Sequence, residues 1–215
     1  MGTVATYSDR ARIKVNDSAR TQLLDGEVVG ILNGIIETIY QTLVNMGSNL
    51  AYGVGTVTTV ADTIEYTPTF EFDGFWREGN WVDGEDTYIY QVPESDKTKW
   101  DFGSSTSQPE AFYLTEDSKI GYLWVPDKEY TIHHTYWKPL TVLTDYSADD
   151  FPWGGIWNRA IERLLVVEML AIQGKDPSIH ASFASTEWDN ALKMVYARGI
   201  RQEKVVSNMF SISGV

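Results

Sequence analysis

Residues 25–46 read DGEVVGILNGIIETIYQTLVNM, and the fold class turns on how that stretch is interpreted. Apolar residues recur at Val28, Ile31, Leu32, Ile35, Ile36, Ile39, Tyr40 and Leu43. This three-and-four spacing describes one face of a helix, and Gly47 supplies its stop. The same helix carries Gly26, Gly30 and Gly34 together on one face, each about one turn from the next. An interior glycine costs a helix about 0.5–1 kcal/mol, so three in register predict a close approach by another helix, within the subunit or across an interface.

Two further helices are predicted downstream. One runs from Ile156 to Gln173 through Ala160, Ile161, Leu164, Leu165, Val167 and Met169, and stops at Gly174 with Pro177 beyond. The other spans Thr186 to Glu203, with Ser185 as its N-cap. Between the first helix and this pair lie short runs rich in β-branched and aromatic residues, at 63–67, 87–92, 111–114, 120–124 and 130–137. The expected class is therefore α+β: a helical bundle from the N- and C-terminal segments, an inserted antiparallel β-rich, sandwich-like domain, and an extended C-terminal tail. The expected boundaries are 1–61 for the N-terminal arm and first helix, 62–150 for the insert, 151–204 for the helical hairpin and 205–215 for the tail.

Charge marks the insert most sharply. The 215 residues carry a net charge of −13. Residues 1–61 hold five acids and four bases and residues 151–215 six acids and seven bases, while 62–150 hold nineteen acids against six bases. A protein that grips nucleic acid through phosphates needs a basic footprint, and this chain lacks one. With 43% hydrophobic residues it carries too much apolar material for a disordered acidic tail. The absence of cysteine excludes disulfides, thiol catalysis and cysteine-ligated metals. Residues 1–20 contain no apolar core segment, and no uninterrupted apolar run reaches membrane-spanning length, so the expected product is made in the cytoplasm and does not enter a membrane.

No constellation selects a reaction. Asp83-Gly84-Glu85-Asp86 and Asp149-Asp150 lack the ligand spacing and terminal glutamate of a calcium loop and read as solvated turns. His133 and His134 are adjacent in a predicted strand, so they point to opposite faces and cannot readily share a metal. Tyr52 to Thr56 has two glycines but neither the Lys-Ser/Thr of a phosphate loop nor a following helix. Nothing predicts a catalytic residue, a cofactor site or a metal site. Phe70, Phe72, Phe75, Trp76, Trp81, Trp100 and Phe102 admit two readings, a carbohydrate-stacking surface or the core of a small sheet, and the second is favoured. The tail VVSNMFSISGV has no charge past Lys204, and Val205, Val206, Met209, Phe210 and Ile212 suit docking on a partner, for example by strand addition.

The order of these phrases resembles a known family. Gly30 to Ile36 comes first, then Tyr66-Thr67-Pro68, Pro109 to Leu114, Gly121 to Pro126, Tyr130 to Ile132, Tyr136 to Leu140, and Trp188 to Leu192 after an acidic stretch ending at Pro152. This is similar to the adaptor, or head-completion, proteins of tailed bacteriophages that dock beneath the portal, over roughly Gly26 to Arg201. The chain departs from the pattern at Thr67-Pro68, where relatives tend to read Leu-Pro, and in a long insert from Gly74 to Gln108.

The resemblance implies a structural virion protein at the head-tail interface and no enzyme. It implies a homo-oligomeric ring, usually of twelve subunits, with portal protein on one side and tail, nozzle or fibre proteins on the other. The C-terminal segment would reach the portal, and double-stranded DNA would pass through the ejection channel without specific binding. The alternative is a carbohydrate-binding module or tail-fibre component that uses the Trp-rich insert.

Overall fold

The computed structural model describes residues 3–75, 79–84, 87–99, 106–147 and 150–210. The protein is α+β and divides into two compact units, Met1–Leu50 with Leu140–Val215, and Ala51–Pro139.

The first unit is built from four helices: α1 (Val4–Val15), α2 (Asp25–Asn45), α3 (Asn158–Ile172) and α4 (Ser178–Phe210). α3 is central and packs against each of the other three. Its buried residues Ala160, Ile161, Leu165, Val166, Met169 and Leu170 occupy much of its circumference, as a helix with neighbours on several sides requires. α2 buries Val28, Leu32, Ile35, Ile36, Ile39 and Leu43, the face its periodicity predicts.

Three features depart from the sequence reading. The N-terminal arm contains α1, whose buried positions Val4, Ser8, Ala11, Arg12 and Val15 keep helical spacing. Two of those five are polar, so a search for apolar periodicity passes over them. α4 begins at Ser178 instead of Thr186, where the Asp176 carboxylate accepts a hydrogen bond from the Ser178 amide at 2.9 Å. Ser185 therefore lies inside the helix and caps nothing. α4 also continues to Phe210, so the first six residues of the expected extended tail are helical in backbone. Between Gly174 and Phe210 the only later glycine is Gly199 and no proline follows Pro177, so nothing stops a helix already propagating.

The second unit is two small sheets face to face. In one, β8 (Thr131–Trp137) is central and pairs antiparallel with β1 (Tyr52–Thr58), β3 (Gly74–Phe75) and β4 (Trp81–Val82). The other runs β2 (Glu65–Tyr66), β7 (Ile120–Leu123), β6 (Ala111–Leu114) and β5 (Tyr90–Gln91). Its β5–β6 pair is parallel, so the sheet is mixed. Val57, Phe75, Val82 and Ile132 from the first sheet meet Phe112, Ile120 and Tyr122 from the second in one core. Gly55 lies so close to the Phe70 ring that a Cβ there would collide with it. β1 carries two glycines and little apolar bulk, which hides it from a search for strand residues.

The boundaries between the units fall at Leu50/Ala51 and Pro139/Leu140, earlier than the composition shifts near 61 and 150. β1 belongs with its partner β8. The chain after Pro139 returns to the helical unit, where Asn33 exchanges two hydrogen bonds with the backbone of Leu143 (2.8 and 3.1 Å) and Tyr146 donates to Asp9 at 2.8 Å.

Candidate functional site

Gly26, Gly30 and Gly34 all lie on the exposed face of α2. A Cβ built on any of them would meet nothing within 4 Å. No described part of the chain uses the close approach that three interior glycines permit. The α2 face that packs on α3 is the opposite one, with Val28, Leu32, Ile35 and Ile39. Glu27 and Glu37 share the glycine face by helical spacing, and residues 21–50 contain no Lys or Arg.

The outer surface of the α3–α4 hairpin is apolar in two places. A shallow groove of about 250 Å³ lies between the helices, lined by Leu164, Val167, Ala181, Ala184, Ser185 and Trp188. Beside it, Ile179, Phe183 and Met194 stand half or more exposed, with the Arg163 guanidinium 5.3 Å from the Phe183 ring centre. Sequence reading missed this surface because it began the helix at Thr186, leaving Ile179 and Phe183 outside. The signal was the continuous spacing back from Met194 to Ile179, obscured by the polar connection before it. Of the residues expected to dock on a partner, Val205, Val206, Met209 and Phe210 lie along the backbone of α4, and Ile212 lies outside the described residues.

In the β unit, the two adjacent histidines point to opposite faces as expected, and they have different surroundings. His134 is wholly buried. Its Nε2 lies 2.7 Å from the Tyr122 hydroxyl and its Nδ1 lies 3.2 Å from Asn80 Oδ1. The Asn80 oxygen can only accept, so Nδ1 carries the proton and Nε2 accepts from Tyr122. Burial pushes the His134 pKa down to about 3, and the adjacent His133 adds to the effect. This is a neutral structural histidine, with the Phe75 and Phe112 rings edge-on against it. His133 stacks on the Trp81 ring at 4.7 Å, with Asp83 4.0 Å from its Nε2.

The aromatic residues weighed as a sugar platform go mainly to packing. Phe75 is buried in the core, Phe70 and Phe72 lean on it, and Phe70 stacks on Tyr136 at 4.6 Å. Trp81 is occupied by His133; Trp76, Trp100 and Phe102 lie outside the described residues. Glu65, Glu94, Thr115, Glu116 and Asp117 line an open acidic cleft, at whose edge Lys97 reaches Glu65 at 3.5 Å and lies over the Tyr113 ring. Glu85, Asp86 and Asp149 also lie outside the described residues. Among the described residues no group of His, Asp and Glu is arranged to hold a metal ion, and no helix is long and apolar enough to cross a membrane.

The features turned outward are thus helix faces and apolar stripes. A sequence-family model described as SU10 adaptor protein matches residues 3–208, nearly the whole chain and both units. The chain belongs to the SU10 adaptor protein family. No curated protein matches it in a sequence search. Membership makes the chain a bacteriophage structural protein of the adaptor type and implies a place at the virion neck, in contact with portal and tail components.

Proposed function

We propose that this SU10-family adaptor assembles into a ring, of twelve subunits in the form the family resemblance implies, between the portal and the tail of the phage. The ring forms part of the channel through which DNA leaves the head. The observation that carries the reading is the α2 face of Gly26, Gly30 and Gly34, which weakens its own helix and receives nothing from its own chain. A subunit interface gives those glycines their function.

The C-terminal residues Val205, Val206, Met209, Phe210 and Ile212 engage the portal. In the free chain their segment continues α4 as far as Phe210, so engagement adds a helical ridge to the portal or unwinds the last turns. The acid concentrated in the middle of the chain keeps duplex DNA from sticking, because a negative surface offers no counterion-releasing contacts to phosphates.

The test mixes purified portal rings with the full-length chain and with a chain ending at Glu203, and reads the mass and images of the complexes. Rings of the full-length chain on the portal, lost on truncation, support the reading. Equal binding by both chains removes the portal role of residues 205–215. No ring on the portal with the full-length chain overturns the reading.

A further inference from the structure

The exposed side of α4 carries three large apolar side chains. Ile179 is 72% exposed, Phe183 51% and Met194 50%. With Thr186, Asn190 and Lys193, Ile179 and Phe183 recur in alternating steps of four and three, and Met194 lies four residues past Asn190, which places all six along one stripe of the helix. The opposite side, with Ala184, Ala191 and Val195, is buried. The stripe therefore faces away from the core.

We infer that this stripe on one copy packs head to tail on the glycine face of α2 in the next copy. The inference rests on the ring reading and assigns its two surfaces. Three observations select a second copy of this chain as the occupant. The first is charge: the α2 face bears Glu27 and Glu37 with no base anywhere in residues 21–50, whereas the α4 stripe bears Lys193 and has Arg163 over Phe183, with Glu187 and Asp189 at its margins. The second is shape. Large side chains project from α4, and α2 is bare where Cβ atoms at 26, 30 and 34 would stand in the way. The third is placement. α2 and α4 each pack on α3, and nothing of the chain comes within 4 Å of a Cβ at 26, 30 or 34, so a chain's stripe does not reach its own glycines.

The stripe from Ile179 to Met194, about 23 Å long, fits within the length of α2, whose 21 residues span about 30 Å. An interface between two different surfaces of one chain propagates, and it closes into a ring when the rotation between copies allows.

The absence of cysteine makes the test clean. Single variants Gly30→Cys, Phe183→Cys, Thr186→Cys and Asn190→Cys are made in the full chain, together with doubles that combine Gly30→Cys with each α4 variant to cover the register. Each is assembled on portal rings and treated with a short thiol-to-thiol crosslinker. The expected result is a ladder of two, three and more linked chains for at least one double, with the singles remaining unlinked. Imaged rings without a ladder from any double overturn the surface assignment and leave the ring standing. Linked dimers from a single α4 variant also overturn it, because they report a contact between like surfaces. Wild-type chain that forms no ring on the portal overturns the ring reading, and this inference falls with it.

Discussion

Nη1 of Arg12 lies 2.7 Å from Oδ2 of Asp17, and both side chains are sealed from solvent. Arg12 also donates to the Leu23 carbonyl at 2.7 Å and to Asp25 at 3.0 Å, while Asp17 accepts from the amides of Thr21 and Gln22 at 2.9 Å each. One buried ion pair thus organises the whole connection from α1 to α2. Burial acts to raise the Asp17 pKa, but the Gln22 and Thr21 amides, the Arg12 charge and the Leu23 amide outweigh it and hold the carboxyl below its ordinary 3.8.

Breaking this pair from either end strands a buried charge. Asp17→Ala is expected to cost about 3–5 kcal/mol, read by urea unfolding. The double variant Arg12→Met with Asp17→Leu is expected to cost clearly less than its two singles together, because it removes both charges at once. Strict additivity would sink the account. The lowered Asp17 pKa adds a pH dependence: its contribution is complete above about pH 3.8 and fades as the pH falls below that value.

His134 sets a second acid limit, in the β unit. Its folded pKa of about 3 lies below its ordinary 6.5, so the unfolded chain takes up the proton first. The stabilisation from the neutral ring is complete above pH 6.5 and is lost as the pH falls toward 3. At about 1.4 kcal/mol per unit, the loss reaches several kcal/mol at the acid end. Unfolding of the β unit between pH 8 and 4 should show that slope, and His134→Gln should flatten it. An unchanged slope in the variant would assign the acid sensitivity to other groups.

Gly55→Ala brings a Cβ into the Phe70 ring, which stacks on Tyr136 and packs on the core. The ring cannot give way without opening that contact, so a loss of about 1–3 kcal/mol is expected in thermal unfolding. A melting temperature equal to that of the parent would show that Phe70 moves freely.

Gly30→Ala has the opposite sign in the isolated chain. Its Cβ meets nothing, and alanine is the better helix former, so the variant should gain about 0.5–1 kcal/mol in denaturant unfolding. Gly30→Phe should fold equally well and fail to assemble on the portal. Normal assembly by the Phe variant would mean that the glycine face is not covered by a neighbour.

How much was legible in advance varied with the kind of residue that each element buries. α2 and α3 were readable because their buried positions are aliphatic at helical spacing. α1 was not, because Ser8 and Arg12 occupy two of its buried positions and a buried arginine is tolerable only once Asp17 and the Leu23 carbonyl are in place. The aromatic strands 111–114 and 131–137 were visible by composition. β1, β3 and β4 were not, since strands with glycine or of two residues hold their shape only through pairing with β8. The glycine series could be seen from spacing alone, but whether another element of the chain covers it could not, because spacing does not say which elements meet.

By itself, then, the sequence determined the α+β class, the order of helix, β insert and helix pair, and the concentration of acid in the middle of the chain, because these follow from local period and composition. The phrases that mark the adaptor family are equally local. Only the tertiary structure decided that Arg12 and Asp17 share a dry site, that His134 is locked neutral between Tyr122 and Asn80, and that the glycine face of α2 and the apolar stripe of α4 are both left uncovered. Each of these depends on which residues distant in the chain come together around α3 or between the two sheets, and hydrophobic periodicity carries no information about that choice.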